Sequence, residues 1–195
     1  MEKTTAIFDE KQEKISLCST GRYLVCLNEK KVKVTEQEQV GMSDDGEPTY
    51  QDKEVTKYQY DTYWLEANKD GALASAKEST TEEIAAYDKS SKVNGFVVNG
   101  TERWLESEER RSISYSTKIL KEKGEENVDI WFDDDKITTT CDKAIKMLDD
   151  VEVYAKKTNS VTRQHIVDVM SLGKVEDVLN YDIKADYPEK LNIVL

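Results

Sequence analysis

One histidine, three cysteines and two prolines are all that the 195 residues contain of these types. Each scarcity excludes something. With His165 alone, every histidine-based acid–base or nucleophilic scheme has to pass through that one residue. Cys18, Cys26 and Cys141 form an odd set with no CxxC pair. That pattern fits a reducing compartment and supplies neither a disulfide framework nor the convergent ligands of a structural zinc site. Pro48 and Pro188 are the only prolines, so long stretches of regular structure are permitted. Glycines are few and scattered. No GxxxxGK, GxGxxG or Gly-x-Ser-x-Gly run occurs, which removes phosphate cradles and a hydrolase elbow. No apolar run approaches the roughly 20 residues of a membrane helix. Met1 is followed by Glu2-Lys3-Thr4-Thr5 rather than an apolar signal core, which predicts synthesis and assembly in a cytoplasm.

What the chain has in abundance is acid. A formal net charge of −12 speaks against nucleic acid as a partner, because a phosphate backbone is gripped by clustered Lys and Arg. It speaks equally against an anionic membrane surface. Forty acidic residues could supply a glycosidase pair, two carboxyl groups roughly 5 to 9.5 Å apart across a sugar. The densest groups, Asp133-Asp134-Asp135 and Asp149-Asp150, have simpler readings. The first lies at a predicted hairpin turn and lacks the alternating ligands, Gly and distal Glu of a calcium loop. The second shares a helix with Lys143 and Lys146, where exposed i,i+3 and i,i+4 pairs are expected. The expectation is therefore no catalytic residue, no cofactor and no metal site.

The first 70 residues read as a β-rich domain or arm. Thr5 to Phe8, Lys14 to Cys18 and Arg22 to Leu27 are short apolar runs, the last two separated by Ser19-Thr20-Gly21. Asn28-Glu29-Lys30 reads as a polar turn before Lys31 to Val40, where Val32 and Val34 alternate with charges at the period of a half-buried strand. Gly41 to Pro48 is dense in turn formers and predicts a solvated tip. Beyond it, Tyr58, Tyr60, Thr62 and Trp64 share one side of a strand. The two segments flanking the tip thus predict one long antiparallel hairpin in a meander, with Tyr58, Tyr60 and Trp64 as candidate protein-interface residues, since Tyr and Trp are enriched at interfaces.

From residue 71 to 195 the pattern changes to a small α+β domain. Ser79-Thr80-Thr81-Glu82 has the capping-box form and predicts a helix starting there and stopping by Asp88 or Lys89. Asn99-Gly100, between Phe96-Val97-Val98 and Thr101 to Trp104, specifies a two-residue hairpin turn. Glu106 to Lys123 is helix-compatible and ends at Gly124, a C-cap. Val128 to Phe132 and Ile137 to Thr140 form a second hairpin. Ala144, Met147, Leu148, Val151, Tyr154 and Ala155 recur at helical spacing. Asn159-Ser160 reads as a break, followed by a second stripe through Ile166, Val169, Met170 and Leu172, which predicts a helical hairpin. A short helix over 175–180 and a terminal strand over 191–195 complete the chain, with Pro188 setting a turn that delivers Leu191, Ile193 and Leu195 into a sheet.

Several of these residues also recur together in a known order. Ala86-Tyr87-Asp88, Val93-Asn94-Gly95-Phe96, Asn99-Gly100 and Trp104-Leu105 are followed by Trp131-Phe132, Met147-Leu148, Glu152-Val153-Tyr154-Ala155, Thr162 and His165. The series closes on Val175-Glu176-Asp177-Val178, Tyr181-Asp182 and Tyr187-Pro188-Glu189-Lys190-Leu191. Over about residues 81–195 this order resembles an uncharacterised C-terminal domain of tailed-phage and prophage tail-region proteins, many of them from gut Bacteroidetes. Relatives often have Gly before the Tyr-Pro-Glu-Lys-Leu run, where this chain has Asp186. The resemblance implies a tail-fibre-associated or tail-assembly setting. With no reaction centre visible among the residues, the expectation is a non-enzymatic virion structural protein of tail, collar or fibre, a homo-oligomer contacting other phage structural proteins, made and assembled in the bacterial host cytoplasm. An assembly factor that leaves the particle, and a glycan-degrading enzyme, are the readings it must compete with.

Overall fold

A computed structural model describes residues 2–43 and 45–195, so Asp44 of the expected tip and Met1 lie outside the described residues. The fold is α+β. The elements are β1 (Thr4–Phe8), β2 (Ile15–Leu17), β3 (Arg22–Met42), β4 (Pro48–Glu66), α1 (Ala72–Asp88), α2 (Ser91–Asn94), β5 (Phe96–Val98), β6 (Thr101–Arg103), α3 (Ser107–Glu122), β7 (Asn127–Phe132), β8 (Asp135–Thr140), α4 (Cys141–Ser171), α5 (Val175–Leu179) and β9 (Asn192–Ile193). They fall into two compact units: residues 1–80 with 172–180, and 81–171 with 181–195.

In the first unit the strand order is β1-β4-β3-β2, with every neighbouring pair antiparallel. β2, β3 and β4 form the expected meander and β1 adds beyond β4. The expected turn at Asn28-Glu29-Lys30 is instead a bulge within one continuous strand. Pairing shifts from Leu27↔Asp61 to Lys30↔Gln59, so two β3 residues oppose one on β4. Asn28 takes φ +55 there, a left-handed conformation that Asn tolerates better than most residues. Its amide donates to the Asp61 carboxylate at 2.7 Å, which Lys3 also holds at 2.8 Å.

The helix expected from Ser79 begins a full two turns earlier. Asn68 accepts at its side chain from the Asp70 N–H, and Gly71 takes φ +94. The Ser75 hydroxyl then accepts from the Asn68 N–H at 3.0 Å. This local turn chemistry starts the helix, leaving Ser79-Thr80-Thr81 in its interior.

In the second unit β5 sits between β6 and β9, and β7 pairs with β8. Asn99 and Gly100 both adopt positive φ and join Val98 to Thr101, as a type I′ turn requires. α3 ends as expected at Gly124. The Glu125 N–H reaches Leu120 O and the Gly124 N–H reaches Lys121 O, the paired bonds of a Schellman cap. β9 runs parallel to β5 and places Leu191, Ile193 and Leu195 against a core of Phe96, Val98, Leu105, Ile130, Phe132, Ala144, Met147, Leu148 and Val151.

The expected break at Asn159-Ser160 does not occur. α4 runs unbroken for 31 residues, roughly 46 Å at 1.5 Å per residue, so the expected helical hairpin is one long helix. Its buried stripe stays in phase through Met147, Val151, Tyr154, Thr158, Thr162, His165 and Val169. The hydroxyls of Thr158 and Ser160 donate back to the carbonyls of Ala155 and Lys156, so polar residues that favour turns are satisfied inside the helix.

Candidate interaction surface

The β3–β4 hairpin changes character at its bulge. Below it, Leu24, Val25, Cys26 and Leu27 are all buried. Leu24 and Cys26 pack with Tyr60, flanked by Phe8, Cys18 and Tyr58. Val25 and Leu27 face the other way, where with Ile15 and Val175 they line a cavity of about 160 Å³. Above it, pairing continues from Lys30↔Gln59 to Met42↔Pro48, roughly 40 Å of ribbon. Most of its side chains are exposed, and only Val32, Val34, Val55, Lys57, Tyr58 and Gln59 are half-buried.

Ion pairs, rather than a core, link the two strands of the ribbon. Lys33 meets Glu54 at 2.6 Å and Lys53 meets Glu38 at 3.0 Å, both diagonally across the strands. Lys57 bridges Asp9 at 2.8 Å and also contacts Glu36. These hydrogen bonds raise the Lys57 ammonium above its ordinary value. The Lys33–Glu54 and Lys53–Glu38 pairs are exposed on both sides and stabilise little, about 0–1 kcal/mol each.

Both edges of the ribbon are open among the described residues. On the β2 side β3 is bonded only as far as Cys26, whose N–H reaches Lys14 O, and β1 pairs with β4 only over Tyr58 to Thr62. Residues 30–42 and 48–57 therefore present unpaired backbone donors and acceptors on each side, the geometry that accepts another strand. Val40, Met42 and Tyr50 add exposed apolar area near the tip, Met42 at 70%.

The three expected interface residues do not share one exposed face. Tyr60 is 3% exposed because β1 covers it. Phe8 packs edge-on at 5.9 Å, and the hydroxyl accepts from the Gln12 N–H and donates to Glu29. Tyr58 is half-buried at the rim of the same cluster. Trp64 is 45% exposed, with the Arg22 guanidinium 5.1 Å from its ring centre. Sequence reasoning found the aromatic face but missed that a neighbouring strand would cap it. It also missed the open edges, which only the limits of β1 and β2 pairing reveal.

The groups with chemical potential are occupied elsewhere. His165 is buried in the second unit. Its Nε2 donates to Ala185 O at 2.9 Å, which leaves Nδ1 facing the Tyr181 hydroxyl at 2.7 Å. That hydroxyl lies 3.2 Å from Asp168. Burial first, and then the Asp168 charge and its hydrogen bond, push the Tyr181 hydroxyl up to about 12. Next along the stripe, the Thr162 hydroxyl donates to Asp88 at 2.6 Å and sits 2.9 Å from the Tyr187 hydroxyl. With both ring nitrogens engaged, His165 fastens the segment 181–187 to α4. Asp150 pairs with Lys146 at 2.5 Å on the surface, and Asp135 with the largely buried Arg103. A cleft of about 310 Å³ between α3 and α4 is lined by Arg110, Ser114, Tyr115, Lys118, Asp149 and Glu152. Arg110 is already committed there to Glu152 and to Leu105 O. Among the described residues no three His, Cys, Asp or Glu side chains converge as a metal site, and no helix is long and apolar enough to cross a membrane.

No family model, curated protein or solved structure matches the chain.

Proposed function

We propose that the protein is a non-enzymatic structural subunit of a tailed-phage virion, placed in the tail, collar or fibre region and acting through protein–protein contacts. The observation that carries this reading is the ribbon: roughly 40 Å of paired strand, with most of its side chains exposed and both edges open, makes no core of its own. Such an element has a physical reason to exist when a neighbouring chain completes it.

The resemblance over residues 81–195 supplies the phage setting, and one backbone feature supports it. Asp186, where relatives often carry glycine, has φ +61. Glycine adopts that conformation at no steric cost and Asp is among the few residues that substitute for it. Mass-spectrometric proteomics of purified particles tests the reading. Stoichiometric copies in washed virions are the expected result. Presence in infected lysate but absence from virions would replace the subunit with a transient assembly factor.

A further inference from the structure

The two open edges of the ribbon differ in what they can accept, and the difference lies in charge order. Along β3 the sequence runs Lys30-Lys31-Val32-Lys33-Val34-Thr35-Glu36-Gln37-Glu38, basic first and acidic after. Register is unbroken from Lys30 to Gln39, so Lys30, Val32, Val34, Glu36 and Glu38 share one face.

Consider a second copy laid antiparallel against this edge. A two-fold axis normal to the sheet keeps each face on its own side, so opposed residues must come from the same face. With the axis on Val34, Val34 meets Val34, Val32 meets Glu36, and Lys30 meets Glu38 of the second copy. On the other face Lys33 meets Thr35 and Lys31 meets Gln37. No like charges are opposed, and the Lys30–Glu38 pair forms twice. Because Val34 already lies opposite Val55, the axis would create a row of four valines across four strands. Moving the axis to Lys33 or Glu36 sets identical charges against each other, and moving it to Thr35 sets Val32 and Val34 against glutamates.

The β4 edge offers no such match: within residues 48–57 Asp52 and Glu54 lie on one face and Lys53 and Lys57 on the other, so no such axis opposes unlike charges. Axes on Asp52, Lys53 or Glu54 oppose identical charges, and an axis on Val55 opposes Lys53 to Lys57. Like charges directly opposite are destabilising.

We propose that the β3 edge over Lys30–Glu38 is a homodimer contact, pairing antiparallel with a second copy of this chain about Val34. The proposal rests on reading the ribbon as a contact surface, and it is independent of whether the particle is a virion. Edge lysines guard a strand against indiscriminate pairing. Here the Val34 axis is the one that sets Lys30 against an acid without opposing like charges. Glu38, held by Lys53 at 3.0 Å, keeps lone pairs for a second lysine.

Sedimentation of the full chain at micromolar concentration tests it, with Lys30→Glu, Glu38→Lys and the double exchange. Both positions are exposed, so helix and sheet content by circular dichroism should be unchanged. Wild type should be a dimer. Each single change opposes like charges twice per dimer and should weaken association on the order of tenfold. The double exchange restores opposite charges and should recover dimerisation. A monomeric wild type, a dimer indifferent to the single changes, or a double exchange no better than the singles would overturn the proposal. A dimer that obeys the exchange in a protein absent from virions would leave the edge contact standing and remove only the virion reading.

Discussion

Two antiparallel hairpins in this chain obey the same pairing rules and are held by different forces. β7–β8 has arms of six residues each and β3–β4 has arms of 21 and 19. The short hairpin buries Ile130, Phe132 and Thr139, with Ile130 and Phe132 in one core with Met147, Leu148 and Val151 of α4. The long one is buried only below its bulge. Backbone pairing fixes register and direction in both, but a net hydrogen bond adds only about 1 kcal/mol. Covering one face is what makes a hairpin a core element. The unburied length of β3–β4 is thus a reach rather than a support.

The largest effect should come from breaking the covered hairpin. Ile130 is 1% exposed in the core it shares with Phe132, Met147 and Val151. Ile130→Ala removes its buried methylenes and leaves a cavity under α4, for a loss of about 3–4 kcal/mol. Chemical denaturation should show a lower midpoint at unchanged slope. An effect below about 1 kcal/mol would mean that this hairpin is as dispensable to stability as the ribbon.

The sequence disclosed the short-range part of this contrast and hid the long-range part. Asn99-Gly100 and Gly124 announce their turn and cap because the required positive φ is a property of the residue itself. Ala144 to Tyr154 announce an α-helix face by spacing. Three things depended on partners far away in the chain. Tyr60 is buried because β1 returns to β4 across some fifty residues of sequence. Asn159-Ser160 stays helical because Thr158 and Thr162 are buried on either side of it, the second bonded to Asp88 and Tyr187. Residues 172–180 join the first unit, where Glu176 contacts Lys14, and no local signal marks that return. The ribbon was legible as a hairpin, while its open edges were not, since they are defined by where other strands stop.

An intermediate effect should come from the bulge, where the covered part of β3–β4 gives way to the exposed part. Asn28→Val places a β-branched residue at φ +55 and deletes the bond to Asp61, costing about 1–2 kcal/mol. Asp61 also makes the change visible in acid. Hydrogen bonds from Lys3 and then Asn28 hold its carboxyl below the ordinary value. A carboxyl lowered in the folded state adds stability that is present above the unfolded value near 4 and is lost as pH falls through the folded one. The variant loses one of the two lowering bonds, so its stability should decline less steeply below pH 4 than wild type. Parallel acid limbs would show that the Asn28–Asp61 bond is not made in solution.

The smallest effect belongs to the far ribbon and is the most direct test of the contrast. Lys53→Ala deletes the partner of Glu38 with more than half of both side chains in solvent, so stability should change by less than about 0.5 kcal/mol. The same substitution leaves Glu38 without its intrachain lysine, free to take Lys30 of a second copy alone. If the ribbon serves contact and not support, Lys53→Ala should leave the melting temperature where it was and preserve or tighten self-association. A large loss of stability from so exposed a change would put the ribbon among the elements that hold the fold, and would undo the distinction between the two hairpins.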